Sequence, residues 1–321
     1  MRILVTGGAG FIGSHLCERL VADGHIVTAI ENFSTGREFN LVNLVSSDNF
    51  TLVEGSVLDA NILALLIGDS DYVFHLAAAV GVFNIVKNPL ASLLTNIRGT
   101  ENVLEAAHTA KTPVFLTSSS EVYGKNISDS LKESDDRILG SPVTLRWSYS
   151  EAKAIDESLA YAYFVEKQLE TRIVRFFNTV GPRQLGAYGM VVPRFVKAAL
   201  ANEPITIYGD GNQTRCFAHV FDVVDAVLAV AFAENTIGKV INIGNNFEIS
   251  INGLAKKIIE ETGSMSEIVY VPYAEAYGDG FEDMERRIPN IDLINRLVGW
   301  KPKRDLSSII ADISAEMKKS S

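Results

Sequence analysis

The chain reads as an α/β protein built on a doubly wound parallel sheet, with a smaller lobe formed by its C-terminal part. Three observations predict this. Short β-rich runs alternate with helical patterns through the first half of the sequence. Those runs are apolar at nearly every position, as strands covered on both faces must be. The length of 321 residues exceeds the usual single domain, so one large α/β unit, or a main domain with a smaller companion, is expected.

Taken in order, the predicted strands are RILVT at 2–6, HIVTAI at 25–30, FTLVE at 50–54, DYVFHLA at 71–77, TPVFLTS at 112–118 and TRIVRFF at 171–177. Between the first two lies the helical run FIGSHLCERLVA. A long helix begins near Trp147 and carries the stretch LRWSYSEAKAIDESLAYAYFVEK at 145–167. After FFNTVGPR the alternation loosens, with a helix near Val192 to Ala201, a short strand ITIY at 205–208, and short elements ending in a Pro-rich patch near Trp300. The expected division is a main domain over 1–178, with segments near 215–248 returning to it, and a lobe made mainly of 179–321. Residues Met317 to Ser321 read as frayed.

Composition narrows the function. Hydrophobic residues make up 47% and charged residues 21%, an ordinary globular balance. A net charge of −10 offers no general attraction for nucleic acid, so an anionic ligand needs a local site. Cys17 and Cys216 are far apart, with no CxxC and no His/Cys cluster of ligand spacing, so no metal is expected and both read as reduced thiols of a cytoplasmic protein. The longest apolar run, around Phe74 to Val86, is interrupted by His75 and Asn84 and is too short to span a bilayer. A cleavable signal does not fit the N-terminus, because a glycine motif begins at Gly7.

That motif, TGGAGFIG, directly follows the first strand and places Gly7, Gly10 and Gly13 at the opening of a helix. Glycines let the backbone turn tightly and approach a pyrophosphate, while the helix N-terminus offers free N–H groups and the positive end of its dipole. Glu31, at the end of the second strand, completes the Rossmann pattern. Its carboxylate can accept hydrogen bonds from a ribose diol and would repel a 2′-phosphate, so NAD is expected over NADP.

The spacing Tyr-x-x-x-Lys occurs twice, as Tyr149/Lys153 and as Tyr163/Lys167. On a helix either spacing places an ammonium near a phenol, and it also serves an ordinary helix surface. In a parallel sheet, helix N-termini lie at the carboxyl edge where dinucleotides bind. Tyr149 is near that N-terminus; Tyr163 lies about 21 Å further along, near the opposite edge. Geometry therefore selects Tyr149/Lys153. A phenol of pKa about 10 is a poor base at neutral pH, but a neighbouring ammonium and the positive nicotinamide would favour phenolate. Tyr149 could then remove a hydroxyl proton as hydride leaves for NAD.

Together TGGAGFIG, SSSEVYG, Tyr149-x-x-x-Lys153 and FFNTVGPR resemble the extended short-chain dehydrogenase/reductase family that modifies nucleotide sugars, over nearly the whole chain. The resemblance implies C4 oxidation of a UDP-sugar by bound NAD. It implies Ser119 as the hydroxyl bridging Tyr149 and the C4 oxygen, and Asn96 as a buttress of the site. The implied cofactor wall comprises Gly7, Gly10, Phe11, Ile12 and Gly13, then Glu31, Asn32, Ser56, Val57, Leu76, Ala77, Ala78 and Asn96, with Tyr149 and Lys153. Asn178, Arg194, Tyr208 and Arg215 are the implied contacts of the nucleotide diphosphate.

Dehydratases of that family read Thr-Asp-Glu before Val-Tyr-Gly, where this chain has Ser119-Ser120-Glu121, which disfavours a 4,6-dehydratase. Ser120-Glu121 and GSPVTLRWSY resemble the UDP-glucuronate decarboxylases, as does ERRIPNIDLINRLVGWKP, which maps an active-site arginine to Arg287. Ser119 stands where many decarboxylases carry Thr, and Ser is common in 4-epimerases. Ser56 replaces an Asp that often touches the adenine. The resemblance thus implies UDP-glucuronate decarboxylation, with C4 oxidation followed by loss of CO2 and protonation at C5, and with Glu121 and Arg287 positioning the carboxylate-bearing ring. A UDP-sugar 4-epimerase is the alternative; a nonenzymatic NAD-binding scaffold of the same fold stands behind both. A homodimer is expected through the helices near 91–109 and 148–167, as in the family.

Overall fold

The computed structural model describes residues 1–81, 87–186, 190–272, 275, 284 and 286–319. Asn84 and the end of the apolar run, to Val86, lie outside them, as do Ser320 and Ser321. Among the described residues the central sheet has seven strands: β1 (Arg2–Thr6), β2 (Ile26–Glu31), β3 (Phe50–Glu54), β4 (Tyr72–His75), β5 (Val114–Ser119), β6 (Thr171–Phe176) and, after four short strands, β11 (Val240–Ile243). The order β11-β6-β5-β4-β1-β2-β3 is parallel at every pairing. The connections diverge on either side of β1 and β4, which opens a crevice at the carboxyl ends of those strands.

The strands sit where the sequence places them, shifted at their ends for local reasons. The expected strand at 71–77 stops at His75, because the amides of Leu76 and Ala77 turn to the Thr6 hydroxyl at 3.2 and 3.0 Å. The fifth begins at Val114 because Pro113, lacking an N–H, cannot extend the ladder. Alternate residues of each strand face opposite layers. Ile3, Val5, Phe115, Val174 and Ile241 pack against α1 (Phe11–Ala22) and α6 (Val220–Ala231); Leu4, Val114, Leu116 and Ile173 pack against α2 (Ala60–Gly68), α3 (Pro89–Ala110) and α4 (Ser148–Lys167).

A separate core lies in the C-terminal part. Val192, Phe195 and Val196 of α5 (Val191–Leu200), Leu254 and Ile258 of α7 (Ile251–Thr262) and Ile309, Ile310 and Ile313 of α9 (Leu306–Lys319) enclose Ile205 and Ile207 of β8 (Ile205–Tyr208). The short helix α8 (Asp292–Val298) packs instead on the first core, through Ile294. The pairs β7 (Thr179–Val180) with β10 (Ala218–His219), β9 (Thr214–Cys216) with β12 (Glu248–Ser250), and β8 with β13 (Ile268–Val271) complete the strands. The C-terminus is helical through Lys319, with Met317 against the second core, so fraying there is corrected by packing. Cys17 and Cys216 are buried free thiols. No described helix is long and apolar enough to cross a membrane.

Candidate active site

The crevice at the sheet's carboxyl edge opens into one cleft of about 710 Å3 that runs from the glycine loop to β8. The loop is set by backbone geometry. Gly7 has φ +72°, and a Cβ there would stand 2.9 Å from the Ala77 nitrogen; a Cβ at Gly13 would stand 2.1 Å from the Gly7 carbonyl. Only glycine permits this turn to close on itself. Helix α1 therefore starts against the turn with no side-chain cap at Gly10, and Gly7, Gly10, Phe11, Ile12 and Gly13 all face the cleft. Uncapped first-turn amides fit a pyrophosphate.

Glu31 is held in place by the backbone. Its Oε2 accepts from Ala9 N at 3.2 Å, and Oε1 accepts from Asn32 N and Phe33 N at 3.0 Å each. Oε2, which accepts once, keeps lone-pair capacity for a further donor, and Glu31 lines the cleft with Asn32, Ser56, Val57, Leu76, Ala77 and Ala78. Burial pushes its carboxyl upward, against those three amides. These groups fit NAD.

Asn96 stands apart from the other predicted wall residues, because it does not line the cleft. It is buried behind the wall, where Oδ1 accepts from Ala79 N at 2.7 Å and Nδ2 donates to the Ala79 carbonyl at 3.3 Å. It clamps the loop that carries Leu76 to Ala78.

At the other side of the crevice, β5 ends in Ser119, a single helical turn follows at Ser120–Tyr123, and α4 starts beside it. Tyr149 and Lys153 lie in the first turns of α4 and line the cleft with Ser119, Ser120 and Glu121. The Ser119 side chain hydrogen-bonds the Tyr149 phenol. Lys153 Nζ donates to the Thr117 carbonyl and to Asp156 Oδ2, each at 3.1 Å. The phenol is pushed above its ordinary value by burial, then by the Glu121 and Asp156 carboxylates, with the Ser119 hydrogen bond opposing. Tyr163 is elsewhere: its hydroxyl donates to Glu105 Oε2 at 2.7 Å, and Lys167 is exposed.

Glu121 is the most constrained group of the site. Arg287 Nη1 lies 2.5 Å from Oε1 and Arg146 Nη1 lies 2.6 Å from Oε2. Burial alone would raise this carboxyl, but the two guanidiniums outweigh it and bring its pKa down to about 2. Arg287 also donates through Nη2 to Asn178 Oδ1 at 3.1 Å, and Asn178 Nδ2 donates to the Cys216 carbonyl at 2.9 Å. Asn178 holds φ +26°, a costly conformation for a non-glycine residue that its two side-chain bonds retain.

Arg146 is a site residue that sequence reasoning missed. It sits three residues before Tyr149, in a stretch already singled out, but nothing in the spacing says that its side chain meets Glu121. At the distal end, Arg194 stacks over Tyr208 with its guanidinium 4.5 Å from the ring centre, and its Nε has no hydrogen-bond partner among the described residues. Arg215 is buried, donates through Nη1 to the Thr214 carbonyl at 2.8 Å, and lines the cleft with Arg194, Tyr208 and Asn178. Cations at one end and an acid–base group at the other suit an anionic ligand that reaches from β8 to Tyr149.

Comparison with known proteins agrees with this geometry. The model of the NAD dependent epimerase/dehydratase family matches residues 3–244. A UDP-N-acetyl-alpha-D-glucosaminuronate decarboxylase of Bacillus cytotoxicus is 42% identical over 94% of this chain and 92% of its own. A UDP-glucuronic acid decarboxylase 1 of Xenopus tropicalis is 37% identical over 94% of this chain and 68% of its own. The solved UDP-glucuronic acid 4-epimerase of Bacillus cereus, in complex with UDP-glucuronic acid and NAD, superposes with a TM-score of 0.90 at 29% identity, covering 100% of both chains. The chain belongs to the NAD dependent epimerase/dehydratase family.

Proposed function

We propose that the protein is an NAD-dependent decarboxylase of a UDP-hexuronate, UDP-glucuronate or its 2-acetamido counterpart, acting after oxidation at C4. The observation that carries this reading is the Arg146–Glu121–Arg287 cluster beside Tyr149. Two guanidiniums on one carboxylate leave a net positive charge in a largely buried site, which favours a substrate carboxylate over a neutral hydroxymethyl group.

Tyr149 takes the C4 hydroxyl proton, with Ser119 as the hydrogen-bonded bridge. NAD held by the glycine loop and Glu31 would supply the hydride acceptor for C4 and a positive charge that favours the phenolate. Oxidation makes the sugar a β-keto acid, whose C5–C6 bond breaks with release of CO2 as its electron pair moves towards the C4 oxygen; the resulting enolate then takes a proton from water at C5. Tyr149 and Ser119 can donate hydrogen bonds to that developing oxyanion. Arg287 exchanges Glu121 for the substrate carboxylate, and Glu121 remains ionised on Arg146. Asn178, Arg194, Tyr208 and Arg215 hold the nucleotide diphosphate.

In this reading residues 1–178, with returning segments near 215–248, form the cofactor domain, and 179–321 mainly form the nucleotide-sugar lobe. The protein works as a cytoplasmic homodimer through α3 and α4, where Leu90, Ile155, Tyr161 and Val165 are exposed. A second reading, 4-epimerisation of the uronate, is favoured by the likeness to the Bacillus cereus 4-epimerase. Incubation with UDP-glucuronate and with UDP-N-acetylglucosaminuronate, followed by product mass and the sugar proton spectrum, separates them. Loss of CO2 supports decarboxylation; unchanged mass with inverted C4 supports epimerisation; no reaction with either uronate defeats both readings.

A further inference from the structure

Lys153 lines the cleft one helical turn from Tyr149, and the reaction proposed above leaves unexplained the carboxylate that holds it. Lys153 and Asp156 are i and i+3 on α4, 2% and 0% exposed, with Nζ 3.1 Å from Asp156 Oδ2. The same nitrogen donates to the Thr117 carbonyl of β5. An ammonium carries three donors, so fixing two of them settles where the third points. The neighbouring Glu157 is no substitute, because Arg175 takes both of its oxygens at 2.9 and 2.7 Å.

We infer that Asp156 is a positioning residue for the reaction at Tyr149: it fixes the Lys153 ammonium against β5 and cancels its charge, so that a neutral pair, and not a bare ammonium, sets the pH at which Tyr149 becomes a base. The inference rests on the reading of Tyr149 as that base. The groups around the pair are accounted for. Burial pushes the Asp156 carboxyl upward, against the Lys153 charge and the Thr100 hydroxyl of α3, which contacts His75 Nε2 at 3.2 Å. His75 of β4 is neutral, since burial and the Lys153 charge push it down to about 3. Glu121 is met by Arg146 and Arg287, and Glu157 by Arg175. Asp156 is therefore the carboxylate that answers the Lys153 charge, and it also stands among the groups that oppose ionisation of Tyr149. It secures the geometry of Lys153 at the expense of the acidity of Tyr149.

The test is Asp156→Asn in the NAD-loaded enzyme. It is read by the pH profile of kcat and by NMR titration of 13Cζ-labelled tyrosines, with Tyr149 identified as the signal missing from Tyr149→Phe. Both the acid limb of kcat and the Tyr149 midpoint are expected to move to lower pH, by about one unit or more. A lower kcat with both midpoints unmoved, or an upward movement, overturns the inference. The NMR midpoint requires no turnover, so it stays distinct from the functional reading, which falls if Tyr149→Phe keeps full turnover. If Asp156→Asn does not fold, Asp156→Ser is read in the same way; if neither folds, the pair is a folding requirement and the inference is overturned.

Discussion

Arg146 reaches Glu121 Oε2 at 2.6 Å from the side opposite Arg287, so a residue just before α4 and a residue near the C-terminus close on one carboxylate from two directions. Glu121 is thereby a charged fixture at neutral pH, and it cannot serve there as a proton donor. The pairing has a pH signature. A carboxyl whose folded pKa is depressed contributes stability above its unfolded value, and that stability is lost as pH falls through the folded value. For Glu121 the window runs from about 4.5 down to about 2. Arg146→Gln raises the carboxyl and should cost roughly 2 kcal/mol at neutral pH, with acid unfolding beginning at higher pH. Circular dichroism across that range checks it; an unchanged acid transition would refute the pairing.

Tyr149→Phe should lower turnover by a factor of about 10² to 10⁴ while NAD stays bound. Tyr163→Phe loses only a hydrogen bond to Glu105 at the helix surface and should leave turnover unchanged. Initial rates and the cofactor content of the two purified variants decide the matter. A dead Tyr163 variant would mean that the wrong end of α4 had been assigned.

His15 sits one turn into α1, 5% exposed, with Nε2 donating to the Pro182 carbonyl at 3.0 Å. Burial first, then the Arg183 charge, pushes it down to about 4. A histidine lowered on folding binds its proton more readily in the unfolded chain, so it costs stability as pH falls from about 6.5 towards 4. Above that window the cost is absent. His15→Gln should flatten the dependence of Tm on pH within it, and parallel curves for the two proteins would count against this account.

Asn96 supports the cofactor wall without forming part of it. Asn96→Ala removes both bonds to Ala79 and should cost about 1 to 3 kcal/mol of stability. NAD affinity should weaken with it, because Leu76 to Ala78 line the cleft on the loop that Asn96 clamps. Thermal unfolding with and without added NAD measures both effects. Weaker NAD binding with unchanged stability of the apoprotein would instead place Asn96 in direct contact with the cofactor.

Much of this protein was legible along the chain because its signals are local. The period-two alternation of Ile3, Leu4 and Val5 between two helical layers, the glycine turn before α1 and Glu31 at the end of β2 each follow from neighbouring residues and backbone geometry. The choice of Tyr149 over Tyr163 needed only the rise of a helix and the direction of a parallel sheet. The ends of β4 and the C-terminal helix were less legible, because the Thr6 hydroxyl and the contacts of Met317 reach across tens of residues or more.

The sequence by itself determined the strand–helix alternation, the dinucleotide loop and which tyrosine stands at the crevice. Only the tertiary structure decided that Arg146 and Arg287 share Glu121, that Asn96 works from behind the wall, and that Lys153 is held by Asp156. The reason is physical: backbone preferences and side-chain periodicity act within a few residues, whereas the partner of a buried charge is whichever group the fold brings within hydrogen-bond reach.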